Sequence, residues 1–248
     1  MEELEHSFLI VELFNKIFGP PLAAFLSLVG IQIKDPLHLI PDYVVMSIIV
    51  SFFLVLFLGL SARKLRFIPS KLQSILEVII QGFEYILVDL IGEEGKKYLP
   101  LIGTIGLFIF FSNILGLIPG FMSPTSNINV TAGCALVVFA YYHWQGIKTQ
   151  GLFKYLKHFT GPIPLLAPLL LPIEIISHFS RPVSLSMRLF GNIFAEELLI
   201  LIIASIVPFF LPLPFMALAI LTAIIQAFVF VLLSCIYIAG AVASEEEH

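Results

Sequence analysis

Residues Ser177 to Leu201, SHFSRPVSLSMRLFGNIFAEELLIL, carry Arg188 in the middle of a long apolar segment. A charged side chain at bilayer depth is disfavoured by roughly 2.5–3.5 kcal/mol on insertion scales, and residues kept there usually mark an ion path or a charge relay. On a helix, Arg181, Ser184, Arg188 and Asn192 fall within roughly 80° of one face, and Glu174 projects onto the same face. Glu196 lies two turns beyond Arg188 at the edge of this stripe, while Glu197 points to the opposite side. The plainer alternative is a buried structural ion pair between Arg188 and one of these carboxylates. A single long polar stripe with one cation at its middle reads better as a path.

Composition agrees with a membrane setting. The chain has 248 residues, 59% of them hydrophobic and 12% charged, with a mean hydropathy of +1.03, far from a soluble globular domain. Its first residues, MEELEHSFLIVEL, are acidic where a secretory signal is basic, so the N-terminus is expected to be retained. Cys134 and Cys235 each lie inside an apolar run, which suggests neither a disulfide framework nor a thiolate metal site. His6, His38, His158 and His248 show no metal-ligand spacing, and no phosphate-binding loop is present, so neither a metal nor a cofactor is expected.

Seen as one membrane domain, the chain divides as follows. Residues 1–41 contain Pro20, Pro21, Pro36 and Pro41, which break any helix too often for a clean span and suggest a surface segment. Residues 42–60 are long enough to span and are followed by Arg63, Lys64, Arg66 and Lys71, which puts that end in the cytoplasm. Residues 70–91 carry Ser70, Gln73, Glu77, Gln81 and Glu84 at spacings of three and four, an amphipathic helix for the cytoplasmic surface closed by Lys96 and Lys97. Residues 99–121, with Asn113 as the one strongly polar side chain, and 128–147 read as the second and third spans, joined by a turn-like link. Lys148, Lys154 and Lys157 then fall on the same side as the first basic cluster.

Residues 164–207 would measure about 66 Å as continuous helix, roughly twice the hydrocarbon thickness. Pro168, Pro172 and Pro182 leave open whether this is one steeply tilted helix or two broken pieces, with the tilted helix favoured. Pro208, Pro212 and Pro214 turn the chain, and 213–242 returns as a last, equally long helix whose Thr222, Gln226 and Tyr237 project to one side. The expected fold class is an all-α integral membrane protein with five transmembrane helices, the last two long and steeply tilted, and one surface helix. With the basic loops inside, the N-terminus is outside and the acidic SEEEH tail is cytoplasmic. No Lys or Arg follows Arg188, and carboxylates weigh little in orientation.

The segments RPVSLSMRLFGN at 181–192, AEEL at 195–198, QAFVFVLLSCIY at 226–237 and the terminal SEEEH resemble subunit a of F-type ATP synthases, as do NILGLIPG at 113–120 and PTSNINVT at 124–131. The resemblance covers nearly the whole chain. It implies a non-catalytic stator subunit that faces a rotating ring of c subunits, is held by peripheral-stalk b subunits, and supplies two offset half-channels for protons. The terminal SEEEH favours a bacterial inner membrane over a thylakoid, and no nucleic-acid partner is expected.

Carried over by position, Arg188 matches the family's essential arginine and Asn192 the asparagine one turn later. Glu197 matches the carboxylate on the uptake side, Gln226 the glutamine that faces the arginine, Glu174 the cytoplasmic-side carboxylate, and Ser184 a polar position beside the path. Gln226 and Thr222 are accordingly expected beside Arg188, with Gln226 in reach directly or through one water. Three positions depart from some bacterial members: Ala219 stands where they have a histidine, Glu196 where they have glycine, and Gly116 where they have an aspartate. Glu196 is the carboxylate that compensates.

Remaining polar residues have plain readings. His178 sits one turn after Glu174 and either relays protons or is satisfied by that carboxylate, while His143 and Trp144 read as interface anchors. A self-sufficient transporter is disfavoured because the polar stripe occurs once, with no internal repeat. An intramembrane protease is disfavoured because neither a Gly-flanked nucleophilic serine nor H-E-x-x-H is present.

Overall fold

In the computed structural model, residues 9–28, 39–63, 67, 69–118, 121–152, 154–155, 167–207 and 210–242 are described. Seven α-helices account for most of them, and there is no strand among the described residues. They are α1 (Leu9–Leu28), α2 (Asp42–Arg63), α3 (Lys71–Ile91), α4 (Leu99–Leu115), α5 (Ile128–Gln150), α6 (Ala167–Ile206) and α7 (Pro212–Val242). An all-helical solution is what hydrocarbon demands, because a helix satisfies its own backbone polar groups.

Local sequence explains most boundaries. Asp42 in the first turn of α2 and Arg63 in its last complement the helix dipole. Helix α3 begins where the Ser70 hydroxyl accepts from the Gln73 amide, and it ends at Gly92, whose φ of 86° suits glycine. A 3₁₀ segment, Glu93–Tyr98, then folds back on α3. It can do so because Gly95 lies against the Leu87 carbonyl, where a side chain would have no room. Lys96 reaches Glu84 of α3 at 3.3 Å and Glu93 at 2.8 Å.

One core joins five helices: Leu87 of α3, Ile102 and Ile109 of α4, Val138 and Tyr142 of α5, Leu185 and Leu189 of α6, and Phe230 and Ile238 of α7. A second, smaller cluster of Val11, Val45 and Met46 joins α1 to α2. It is fastened by a reciprocal pair in which Asn15 accepts from the Ile40 amide at 2.9 Å and donates to the Ile40 carbonyl at 3.0 Å. Outside these cores large apolar side chains such as Phe52, Val55, Ile220 and Ile224 are exposed, the inside-out pattern of a protein solvated by lipid.

Several expectations are corrected here. Pro20 and Pro21 do not prevent a helix in the N-terminal segment: α1 runs through both for 20 residues. Helix α4 stops at Leu115, short of the expected 121, because the chain turns from Gly116 onward. The open question over the long segment is answered by one continuous 40-residue helix with Pro172 and Pro182 inside it.

Four helical segments are long and apolar enough to cross a membrane: Asp42–Arg63, Glu93–Leu115, Leu170–Ile206 and Pro212–Val242. The expected third span, α5, has the length but not the apolarity. Asn129, Thr131, His143 and Gln145 dilute it; Thr131 and His143 meet Ser186 and His178 of α6, while Asn129 is exposed and reaches Tyr43 of α2. Residues 1–8, Lys64, Arg66, Lys157, His6, His38, His158, Pro208 and the SEEEH tail with His248 lie outside the described residues.

Candidate functional site

Which way α6 faces is fixed by Leu185, Leu189 and Ile193, all buried against the core. Residues four apart share a helix face, so the neighbouring stripe of Ser184, Arg188 and Asn192 is turned outward, and all three are exposed. The Arg188 guanidinium has neither a hydrogen bond nor an ion pair among the described residues. The buried structural ion pair weighed from sequence is therefore not the arrangement found: Glu174 and Glu197 are both bonded elsewhere.

Gln226 of α7 is buried, and its Oε1 accepts from Asn192 Nδ2 at 2.9 Å. No direct bond from Gln226 to Arg188 is found among the described residues; the direct side-chain bond of Gln226 goes to Asn192, one turn on from Arg188. This bond pins Asn192 against α7, while Gln226 Nε2 is buried without a partner among the described residues. Thr222 bonds back to the Leu218 carbonyl at 3.1 Å and takes no part.

Glu197 lies half a turn round α6 from Arg188, as the sequence predicts, and that direction leads into the protein. Its Oε1 accepts from the Ser123 amide at 3.0 Å. Ser123 belongs to the link between α4 and α5, where a short 3₁₀ turn, Pro124–Ser126, is completely buried. The link is a polar knot. The Ser123 hydroxyl donates to the Ser112 carbonyl at 3.0 Å and lies 2.7 Å from that of Thr125, which donates to Asn113 Oδ1 at 2.6 Å. Ser126 bonds the Ser123 carbonyl at 2.8 Å.

Gly116 completes this cradle, since a Cβ there would lie 2.7 Å from Glu197 Oε1 and 2.7 Å from Ser123 Cβ. Position 116 therefore has no space for an aspartate while the Glu197 carboxylate is docked. Glu196 is half-buried and has no hydrogen bond or ion pair among the described residues. Ala219 is buried in α7.

The other end of α6 is built differently. Glu174 Oε1 lies 3.3 Å from His178 Nδ1, one turn on, and His178 is buried. A cavity of about 50 Å³ opens beside them, lined by Gln150, Tyr155, Glu174, His178, Arg181 and Ala241. Arg181, on the predicted stripe, turns out of it and lies 5.4 Å from the Tyr237 ring centroid. No group of three or more His, Cys, Asp or Glu among the described residues is placed to hold a metal ion.

The structure thus sets Ser184, Arg188 and Asn192 on one outward stripe, joins Asn192 to Gln226, and sets Glu174 and Glu197 towards opposite ends of α6. Sequence reasoning missed two groups. Ser123, Thr125 and Ser126 were read as turn residues, although PTSNINVT had been singled out. His143 was read as an interface anchor, yet its ring lies 5.5 Å from that of His178, while Trp144 beside it is exposed.

A bundle whose helical segments include four long and apolar enough to cross a membrane defines an integral membrane protein. Comparison with known sequences narrows the class. The family model ATP synthase A chain matches residues 44–239. ATP synthase subunit a 1 of Pelobacter propionicus is 47% identical over 220 residues, covering 88% of this chain and 95% of that one. ATP synthase subunit a of Campylobacter curvus is 50% identical over 200 residues (80% and 89%), and that of Helicobacter pylori strain P12 is 50% identical over 208 (83% and 90%). The chain belongs to the ATP synthase A chain family. Membership makes it a membrane-sector component concerned with proton translocation, and not by itself a catalytic one.

Proposed function

We propose that this chain is the stator of a rotary F-type ATP synthase, in which Arg188 separates two offset half-channels and couples proton flow to rotation of a ring of c subunits. The observation that carries the reading is Arg188 itself, exposed in mid-helix on an outward face and free of any partner among the described residues. A guanidinium stays charged at any accessible pH, so a ring carboxylate brought to Arg188 is held ionised and gives up its proton, while the arginine carries none. The bond from Asn192 to Gln226 holds the neighbouring turn against α7 and keeps that surface in one register.

Protons reach the ring from the Glu197 cradle, with Glu196 beside it, and leave through the Glu174 cavity. The two carboxylates lie about 14 Å and 21 Å along α6 from Arg188, so the arginine is a barrier between them. Each proton crossing 100 mV releases about 2.3 kcal/mol to drive rotation. In this reading α5 is the third of five spans, with Thr131 and His143 tolerated because they face α6. Helix α6, about 60 Å long, crosses steeply tilted, and α3 lies on the cytoplasmic surface. The protein sits in a bacterial inner membrane with its N-terminus outside and C-terminus inside, beside peripheral-stalk b subunits.

The test is Arg188→Ala in the assembled complex, reconstituted in vesicles. Both ATP-driven proton pumping and proton-driven synthesis are expected to be lost, and Arg188→Lys to be severely impaired, since an ammonium is a point charge with a shiftable pKa. Coupled pumping at the wild-type rate in Arg188→Ala overturns the reading.

A further inference from the structure

Hydroxyls on membrane helices have a usual partner in their own backbone. Ser47, Ser51, Ser205, Thr222 and Ser234 each donate to a carbonyl three or four residues earlier on the same helix. Ser186 of α6 bonds elsewhere. Its hydroxyl lies 3.2 Å from that of Thr131 on α5, 55 residues away in the chain, and both side chains are buried.

The direction of this bond follows from the other partner of Thr131. Thr131 Oγ1 donates to the Ile128 carbonyl at 3.1 Å, and a carbonyl oxygen only accepts. The one hydroxyl hydrogen of Thr131 is thereby used, so Ser186 donates and Thr131 accepts.

Ser186 stands two residues before Arg188, which turns it about 160° away round the helix. It anchors the inward side of the turn whose outward side carries the guanidinium. Asn192, about 40° from Arg188 on the next turn, is tied to Gln226 of α7. Two pins on different flanks of α6, one to each neighbouring helix, therefore bracket Arg188. Packing of Leu185, Leu189 and Ile193 sets which side of α6 faces in. Lipid tails are as apolar as leucine, however, so burial alone penalises a small roll only weakly, whereas a hydrogen bond needs its partner within reach.

We propose that Ser186 and Thr131 are positioning residues that fix the rotation of α6 about its own axis and so keep Arg188 turned toward the ring carboxylates. The proposal rests on the preceding reading, in which Arg188 separates the two half-channels. With the pair removed, α6 can roll about the Asn192 pin, and for part of the time the guanidinium no longer stands between the half-channels. A proton can then cross without a full turn of the ring. The defect is slip: ATP hydrolysis continues while fewer protons are moved per ATP.

The experiment uses the assembled complex in vesicles. ATP hydrolysis and proton pumping are measured together, and passive proton leak is measured without ATP under an imposed potential. Ser186→Ala, Thr131→Val, the double variant and Thr131→Ser are compared with wild type, each checked for assembly and melting temperature. One neutral hydrogen bond shifts a two-state balance by about two- to tenfold, so Ser186→Ala and Thr131→Val should raise the leak by that factor and lower the protons moved per ATP. The double variant should be no worse than Thr131→Val, because both changes break one bond. Thr131→Ser keeps the hydroxyl and should leave leak and coupling at wild type.

Wild-type leak and coupling in both Ser186→Ala and Thr131→Val overturn the proposal. So does a lowered melting temperature with leak and coupling unchanged, which is a packing role alone. A leak as large in Thr131→Ser as in Thr131→Val overturns it too, since the hydroxyl is then not what matters. Arg188→Ala run in parallel separates the two levels: coupled pumping at the wild-type rate there overturns the stator reading and the positioning role with it. Lost coupling in Arg188→Ala beside unaltered Ser186→Ala and Thr131→Val overturns the positioning role alone.

Discussion

Glu174 and Glu197 stand near opposite ends of one helix, and their surroundings share almost nothing. Glu174 is half-exposed at a small cavity among groups that titrate or carry charge: two histidines, an arginine and tyrosines. Glu197 is docked on a backbone amide inside a knot of serine, threonine and asparagine side chains, none of which changes charge. The difference is one of mobility. Titratable neighbours beside a cavity can pass protons on, whereas fixed donors hold a carboxylate in one place without titrating themselves. On the proposed function, one end serves as a conduit and the other as a docking point.

The largest effect that sharpens this contrast is expected at the docking point. Glutamine keeps the size and hydrogen bonding of glutamate while removing titration, so Glu197→Gln should slow proton-driven synthesis by about ten- to a hundredfold, the scale of a lost proton-transfer group. Glu196→Gln, which removes a carboxylate with no partner among the described residues, should do less, and the double change should be worse than either. Synthesis rates at a fixed imposed gradient, with assembly checked separately, decide the order. An equal or reversed ranking breaks the contrast.

Next in size is Gly116→Ala. The added methyl meets the Glu197 carboxylate and the Ser123 side chain, so the carboxylate must leave the Ser123 amide or the link must move. A hydrogen bond to a charged group contributes about 1.5–3 kcal/mol, and losing it should slow synthesis several-fold. Gly103→Ala in α4 is the control, because its new methyl meets only Phe83 at an ordinary 3.7 Å. Equal behaviour of the two variants would mean that the cradle does not hold Glu197.

These two positions also mark what could be read in the chain beforehand. The direction of Glu197 followed from helical periodicity, because nine residues place it half a turn from Arg188, and α6 holds that geometry through Pro182. The outward stripe of Ser184, Arg188 and Asn192 was legible for the same reason. The cradle was not legible: Ser123 comes from 74 residues away, and the decisive donor is a backbone amide, which no side-chain pattern reveals. Gly116 could be named as a departure from some relatives, but the cause, lack of space beside a docked carboxylate, appears only once α4 and α6 are placed together. His143 escaped because an aromatic run near a helix end has the same composition whether it anchors at an interface or packs on a partner histidine across helices. The N-terminal helix escaped because paired prolines remove two backbone donors without forbidding the helical conformation around them.

Smaller still are single hydrogen bonds, and here the two ends should differ in kind. At the docking end, Thr125→Val removes the hydroxyl that donates to Asn113 Oδ1, inside a site with no exposed neighbour in the knot. The abandoned carbonyl is left unsatisfied in the interior, at a cost of about 1–3 kcal/mol. A lowered melting temperature of the complex and reduced retention of the subunit should follow, with a modest fall in rate. A Thr125→Val complex as stable as wild type would show that the knot is not closed to water.

At the conduit end the matching change is Gln150→Ala, which removes the donor to the Ala241 carbonyl at 3.1 Å. The bond is of the same neutral kind, and it joins α5 to α7 across a large sequence separation, so by geometry alone it looks as important as that of Thr125. The setting differs, because Gln150 and Ala241 both line the cavity beside Glu174. A water there can take over the abandoned carbonyl, and truncating the side chain enlarges the space for it. The net loss should then stay near the lower end of an ordinary hydrogen bond, about 0.5 kcal/mol, with less effect on melting than Thr125→Val. The pumping rate should change little, since Gln150 does not titrate and the groups that do are untouched. A destabilisation by Gln150→Ala as large as that of Thr125→Val would mean that the cavity is dry, and a dry cavity could not serve as the conduit on which the contrast between the two ends depends.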